Sequence, residues 1–153
     1  MGLEIRPAML LDIERLAPIV RECDAAELRA SSHLTPREAL TEGLRISDRA
    51  WSMDIDGKLT CIFGVAPIAP GYIACGVAWM IGSQRIEAHK KAFFAGSKTG
   101  VQLMLNLYPI LCNYVDARHL KALQWLEHLG AQIRDPVPYG FDNLPFRYFE
   151  ITR

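Results

Sequence analysis

Residues 110–151 constrain the fold most, because this stretch divides cleanly into strand, helix, turn and strand. Residues 110–115 are an apolar run of strand length, and residues 117–129 follow with helical periodicity. Gly130 then stands at the position where a residue in the left-handed conformation commonly ends a helix. A strand that leads into a helix through so short a turn predicts half of an α/β unit.

Length and charge limit the class of protein. With 153 residues, 50% of them hydrophobic, the chain is long enough for one domain, residues 1–153, with its own core. The 17 basic residues equal the 17 acidic ones, so we expect no nucleic-acid partner. Residues 1–6 lack the apolar core of a signal peptide, and no apolar run has the length of a membrane span.

Cysteine and histidine positions predict no metal site. The cysteines lie far apart, form no Cys-x-x-Cys motif and mostly occupy apolar runs; they are Cys23, Cys61, Cys75 and Cys112. The 4 histidines show no i,i+4 pair and no cysteine at zinc-site spacing. We therefore expect Cys61, Cys75 and Cys112 to be core residues in a reducing cytoplasm, and we expect no metal.

The first third of the chain predicts a strand and two helices. Residues 3–6 are a short strand. Apolar residues at helical spacing predict a helix capped by Asp12, which Pro18 either kinks or delays. Residues 35–38 form a capping box with proline at the first helical position, and they predict a second helix to about Ser47.

The middle of the chain predicts a hairpin, a further strand and a long helix. Two apolar strands flank Asp56-Gly57, a dipeptide whose tolerance of positive φ suits a tight turn. Residues 76–81 predict another strand, and residues 85–107 predict a helix. Gly96 and Gly100 weaken that helix by about 1 kcal/mol each, and their shared face indicates a close approach to the sheet.

The end of the chain completes the predicted fold. Residues 131–134 predict a short strand, residues 135–145 a loop rich in proline and glycine, and residues 146–151 a closing strand. The order of elements is βααβββαβαββ, without an internal repeat. We therefore predict a single-domain α/β fold whose mixed, mostly antiparallel sheet is flanked by helices.

This order resembles that of GNAT proteins, the N-acetyltransferase-like family, along nearly the whole chain. The segment Ala122-Leu-Gln-Trp-Leu-Glu-His-Leu-Gly-Ala131 is similar to the family motif Ala-x-x-Leu-Tyr-Glu-Lys-Leu-Gly-Phe at Ala122, Glu127, Leu129 and Gly130. These positions also have a local role, since alanine permits close packing and glycine supplies a left-handed C-cap. The resemblance implies a GNAT-like fold, acetyl-CoA as cofactor and an amine as acyl acceptor.

The resemblance places the cofactor phosphates at the start of the long helix, where this sequence departs from the family. Active members commonly have a six-residue motif here, with Gln or Arg at the first position, Gly at the fourth and Gly or Ala at the sixth. Its glycines let backbone N–H groups approach the pyrophosphate. Residues 83–90 contain no glycine, and Glu87 adds a negative charge. The candidate cofactor-binding residues, which offer donors or positive charge, are Gln84, Arg85, His89 and Lys90.

The family's tyrosine, often the acid that protonates the leaving thiolate, is replaced by Leu126, which cannot transfer a proton. His119, near the start of the last helix, is the candidate base, because a helix dipole favours its neutral form. Tyr114 and Tyr139 are candidate acids in place of the lost tyrosine. The alternative for His119 is a role at the helix end, and for the tyrosines a packing role.

A narrower resemblance implies a different function. Residues 111–115, 119–130 and 146–151 are similar to small GNAT-like proteins of short-tailed bacteriophages, which are associated with virion morphogenesis. This resemblance implies a retained fold with a degenerate acyl-CoA site and a virion or other protein partner. It also implies a location in the bacterial host cytoplasm or in the virion.

Three functions therefore compete. The leading hypothesis is a phage-type structural or virion-assembly role, in which no cofactor is needed. The alternative is an active acetyl-CoA-dependent N-acyltransferase acting on an amine of unknown identity. A third possibility is a small-molecule binding module that uses the same cleft.

Overall fold

The structure is a computed structural model that describes residues 2–153. Within that range, the strands are β1 (Leu3–Pro7), β2 (Arg49–Ile55), β3 (Lys58–Pro67), β4 (Cys75–Gly82), β5 (Ile110–Asp116), β6 (Gln132–Tyr139) and β7 (Leu144–Thr152). The α-helices are α1 (Leu10–Leu16), α2 (Glu22–Ser32), α3 (Pro36–Ile46), α4 (Arg85–Ala88), α5 (Lys90–Leu105) and α6 (Leu120–His128). A short 3₁₀ helix, Ala17–Ile19, joins α1 to α2.

All seven strands form one sheet in the order β1-β2-β3-β4-β5-β7-β6. Neighbouring strands are antiparallel except β4 and β5, which are parallel. That parallel pair is short, because only residues 75–77 of β4 pair with residues 110–112 of β5. The two strands diverge beyond this point and leave a gap in the middle of the sheet. The predicted mixed, mostly antiparallel α/β fold is confirmed.

Two residues in the left-handed conformation form the β2–β3 turn. Asp56 has φ of 53° and Gly57 has φ of 75°, which suits a two-residue turn between twisted strands. The predicted hairpin is confirmed.

The prediction of a loop over residues 135–145 is wrong in its first half, because β6 continues to Tyr139. Pro136 and Pro138 are tolerated there because β6 is an edge strand. An edge strand has a neighbour on one side only, so a residue without an N–H costs the sheet few hydrogen bonds. The pairing with β7 also shifts register between Ile133 and Pro136, which absorbs the first proline.

The helices require three corrections. The long helix predicted from residue 85 is interrupted at His89, whose φ of −131° and ψ of 48° divide it into α4 and α5. Asp12, the expected N-cap, lies inside α1 and accepts the Met9 N–H at 2.8 Å. Helix α2 is a separate element that the sequence pattern did not reveal, because its residues do not show a regular apolar stripe.

Helix α5 lies against the sheet at its two glycines. A Cβ added to Gly100 would lie 2.9 Å from the Phe63 ring, and one added to Gly96 would lie 2.6 Å from Met53 Cε. This confirms the predicted close approach. The contacts belong to the larger core, between one face of the sheet and α5 and α6, whereas a smaller core lies under α1 and α3 on the other face.

Within residues 2–153, no helix is both long and apolar enough to cross a membrane.

Candidate functional site

A cavity of about 400 Å³ lies where β4 and β5 diverge. Phe93 of α5 and Trp125 of α6 line it on one side of the sheet, and Leu28 of α2 and Gly43 of α3 line it on the other. The gap between the strands therefore connects the two faces of the sheet.

The edge of β4 that faces the gap offers backbone groups to a ligand. The Ala78 carbonyl accepts a hydrogen bond from Asn113 Nδ2 at 2.7 Å, and the Gly82 N–H donates to Asp24 Oδ2 at 2.7 Å. Strand alternation places the N–H and C=O of Met80, midway between them, on the same edge. An extended ligand that carries amide groups can therefore bond to Met80.

Polar residues line the cavity where α2 begins and β5 ends; they are Arg21, Asp24, Glu27 and His119. Across residues 2–153, the buried side-chain nitrogen and oxygen atoms that lack a hydrogen-bond partner are Arg21 Nε and His119 Nδ1 and Nε2. Leaving such an atom unpaired costs about 1–3 kcal/mol. Their convergence in one cavity is typical of a site that binds a ligand or a water molecule.

Arg21 keeps a positive charge inside the cavity. It is 7% exposed, and its Nε lies 3.0 Å from Asp24 Oδ1, although the N–H is not directed at that oxygen. Burial opposes the charge most strongly, but the combined effect of the nearby acidic groups, led by Asp24, outweighs burial and raises the pKa of Arg21. Because the other Asp24 oxygen binds the Gly82 N–H, the pair also ties α2 to the end of β4.

Glu27 is a site residue that the sequence did not predict. Its Oε1 accepts the Asp116 N–H at 2.6 Å, and its side chain lines the cavity. Burial raises the pKa of Glu27 to about 7, against the opposing effect of the Asp116 N–H. A carboxyl group with this pKa can take up and release a proton at neutral pH.

His119, the predicted base, lies in the same cavity and is the N-cap residue of α6. Burial lowers the pKa of His119, and the charge of Arg21 acts in the same direction. The imidazole is therefore neutral at neutral pH and can accept a proton.

Tyr114 and Tyr139 form an aromatic wall of the cavity. Their rings are stacked with centroids 4.1 Å apart and an interplanar angle of 16°. Tyr148 lies against Tyr114 at a centroid distance of 5.2 Å. Burial raises the pKa of Tyr139, so its phenol holds its proton at neutral pH. The structure thus brings Tyr114 and His119, the two predicted catalytic residues, into one cavity.

Solved structures similar to this chain cover nearly all of it. A GCN5-related N-acetyltransferase from Kribbella flavida is 19% identical with a TM-score of 0.75, covering 99% of this chain and 98% of that one. A ribosomal-protein-alanine N-acetyltransferase from Brucella melitensis is 12% identical with a TM-score of 0.73, covering 98% and 99%. The chain has the GNAT fold. No family model matches the sequence, and no curated protein matches it either.

The GNAT fold is thus established, whereas the resemblance to phage proteins stays a prediction. A third similar structure also supports the fold. It is an N-acetyltransferase from Staphylococcus aureus Mu50, with 14% identity, a TM-score of 0.71 and 99% of each chain covered. Identities this low establish the fold and leave the activity open.

The residues predicted to bind the cofactor lie at α4 and at the start of α5. The Arg85 guanidinium donates to the Ile55 carbonyl at 2.6 Å, which engages it with β2. Gln84 and Lys90 are exposed, and His89 is partly buried at the break between α4 and α5. Within the described chain, none of the four lines the cavity. Their role in binding phosphates stays a prediction.

Glu87, in α4, lies close to three cationic side chains. Its carboxylate lies 3.0 Å from Lys121 Nζ, 3.8 Å from Lys90 Nζ and 3.6 Å from Arg21. Lys121 contributes most to lowering the pKa of Glu87. The negative charge near the helix start is therefore neutralised locally, which weakens its repulsion of an anionic ligand.

Three residues in the cavity region have side chains that could hold a metal ion. One donor atom each from Cys23, Asp24 and His119 lies within 4.8 Å of the others. Sequence spacing could not reveal this group, because α2 and α6 meet only in the folded chain. Asp24 is already bound by Arg21 and Gly82, and the Arg21 charge repels a cation. These donors therefore fit a metal poorly, and the absence of a metal stays a prediction.

Proposed function

We propose that this protein is an acetyl-CoA-dependent N-acyltransferase. The observation that supports it most is the cavity through the β4–β5 gap, which is open to both faces of the sheet. An acyl donor on the α5–α6 side and an amine on the α2–α3 side can meet there. The acetyltransferases among the similar structures support the same assignment.

The residues along the gap fit an extended thioester. Met80 offers a backbone donor and acceptor, and Ala122 leaves space between α6 and the strands. Acetyl-CoA supplies an acetyl group that is already activated for transfer to a nucleophile. Lys90 at the start of α5 and Lys121 near the start of α6 add positive charge there, although both also lie close to the Glu87 carboxylate.

Proton transfer can be assigned to the polar residues of the cavity. As the amine nitrogen forms the new C–N bond and the C–S bond breaks, the amine proton must be accepted. Glu27 is the acceptor that we propose, because its pKa of about 7 lets it be ionised at mildly alkaline pH. His119 is a second acceptor, and Tyr114 or water can protonate the thiolate. Proximity of the two reactants supplies much of the remaining rate.

Thermal unfolding with acetyl-CoA tests this function. Ligand at 100 times its dissociation constant stabilises by about 2.7 kcal/mol, or roughly 5–10 °C for a domain of this size. Ala122→Phe fills the gap and should abolish the shift, whereas Gln124→Phe, on the exposed face of α6, should retain it. An unchanged unfolding temperature at millimolar acetyl-CoA would contradict the proposal.

A structural role with a virion or other protein partner is the second candidate. It is favoured by exposed apolar side chains between β3 and β4, namely Ile68 at 52%, Tyr72 at 48% and Ile73 at 77% exposure. This role requires no acetyl-CoA binding. It would gain support if acetyl-CoA gave no shift and the chain were found by mass spectrometry in purified virions.

A further inference from the structure

The turn between β6 and β7 is held against the end of α2. The Phe141 N–H donates to the Ser31 carbonyl at 3.3 Å, and His33 Nε2 lies 2.8 Å from Asp142 Oδ1. The His33 and Phe141 rings are stacked, with centroids 5.1 Å apart. Because Ser31 and Tyr139 line the α2–α3 side of the cavity, which we term the acceptor half, these contacts hold the β6–β7 turn at the edge of that half. They favour a small acceptor over a protein chain.

The walls of the acceptor half are apolar and aromatic. Its lining side chains include Leu28, Leu34, Ile46, Trp79, Tyr114 and Tyr139. Tyr114 and Tyr139 stack on each other and also contact Tyr148 and Phe146, and both line the cavity. An aromatic ligand ring can pack favourably against such rings edge-to-face. An acceptor that fills this space must therefore bury an apolar body.

The charges of the acceptor half suit a single cationic centre. Asp24 is paired with Arg21, and Glu42 is bound by Arg45 Nε at 2.9 Å. Glu27 is the remaining carboxyl group of the lining, with a backbone N–H as its partner. A polyamine would bring further ammonium groups into an apolar cavity without partners, which is costly.

We infer that the acceptor is a small primary amine with an apolar, aromatic body, whose nitrogen lies toward Glu27 and whose ring lies against Tyr114 and Tyr139. This inference rests on the proposed N-acyltransferase function. It excludes polyamines and peptide N-termini as preferred acceptors.

Competing acceptors test the inference with the full chain and acetyl-CoA. The probes are 2-phenylethylamine, spermidine and a short peptide with a free N-terminus, with thiol release as the readout. We expect kcat/KM for 2-phenylethylamine to exceed both others at least tenfold. Calorimetric titration of 2-phenylethylamine without acetyl-CoA gives a second readout that does not depend on turnover.

A matched pair of variants on α3 locates the binding site. Ile46→Lys places a positive charge in the wall of the acceptor half. It should lower both kcat/KM and the binding affinity for 2-phenylethylamine at least tenfold. Thr41→Lys adds the same charge at an exposed residue of α3 outside that wall and should change either value less than twofold. Circular dichroism verifies that both variants fold.

The outcomes separate this inference from the proposed function. Acetyl-CoA turnover that favours spermidine or the peptide would overturn the acceptor class and leave the acyltransferase standing. Binding of 2-phenylethylamine, weakened by Ile46→Lys, without any acetyl-CoA binding would support the ligand class and refute the acyltransferase. If 2-phenylethylamine neither binds nor reacts, the inference is wrong.

Discussion

Replacing Glu27 with glutamine should stabilise the protein at alkaline pH. In the folded protein the pKa of Glu27 is about 7, whereas the ordinary value is 4.5. At a pH between these two pKa values, Glu27 holds a proton in the folded state that it has released in the unfolded state. The free energy of unfolding therefore falls as pH rises through this range. Glutamine has no proton to lose, and its Oε1 can still accept the Asp116 N–H that Glu27 accepts at 2.6 Å.

The magnitude follows from the difference in pKa. A change from 4.5 to about 7 corresponds to about 3 kcal/mol at about 1.4 kcal/mol per unit. Glu27→Gln should therefore gain up to about 3 kcal/mol at pH 9 and almost nothing at pH 4.5. For a domain of this length the gain corresponds to roughly 6–12 °C in unfolding temperature.

Thermal unfolding by circular dichroism from pH 4.5 to 9, on wild type and Glu27→Gln, measures this difference. Glu42→Gln is the control, because Arg45 lowers the pKa of Glu42, and its effect should stay constant between pH 5 and 9. Acyl transfer by Glu27→Gln should fall at least about 100-fold, and the wild-type rate should rise with pH through about 7. A difference in unfolding temperature that does not change with pH would refute the reasoning.

Three further predictions concern packing and charge. Gly100→Ala should destabilise by about 1–3 kcal/mol in urea unfolding, since its Cβ would lie 2.9 Å from the buried Phe63 ring. Gly96→Ala meets the flexible end of Met53 and should change stability by less than about 1 kcal/mol; equal losses would contradict this contrast. Gly140→Ala should loosen the β6–β7 turn, because φ is 77° there and a Cβ would lie 2.6 Å from the Ser31 carbonyl oxygen. Hydrogen exchange of residues 139–144 should accelerate, and unchanged protection would argue against the contact. Asp24→Asn should cost about 3–5 kcal/mol in chemical denaturation, because it leaves the buried Arg21 charge poorly compensated. A loss below about 1 kcal/mol would show that Glu87 suffices as a partner.

Elements with strong local signals could be predicted from the sequence. The Asp56-Gly57 hairpin and the capping box at Thr35 depend on neighbouring residues, and both are present in the structure. The extension of β6 through Pro136 could not be predicted, because its tolerance depends on β6 being an edge strand. The break at His89 likewise has no clear local signal.

The candidate site was only partly predictable. His119 and Tyr114 were identified as candidates and lie in the cavity, whereas Arg21, Asp24 and Glu27 were missed. These three residues lie at or within α2, a helix without a regular apolar stripe. A local signal that could have pointed to them is the pair of acidic residues, Asp24 and Glu27, one turn apart and close to Arg21.

The sequence by itself determined the succession of strands along the chain, the main turns and the resemblance to the GNAT fold. Hydrophobic periodicity and turn chemistry depend on a few neighbouring residues, so both can be read locally. Only the tertiary structure decided where β4 and β5 diverge and which polar groups face the resulting cavity. The pKa of Glu27 illustrates the reason, since it depends on burial and on Asp116, a residue far along the chain. Desolvation is a property of packed surfaces, and no local pattern of residues encodes it.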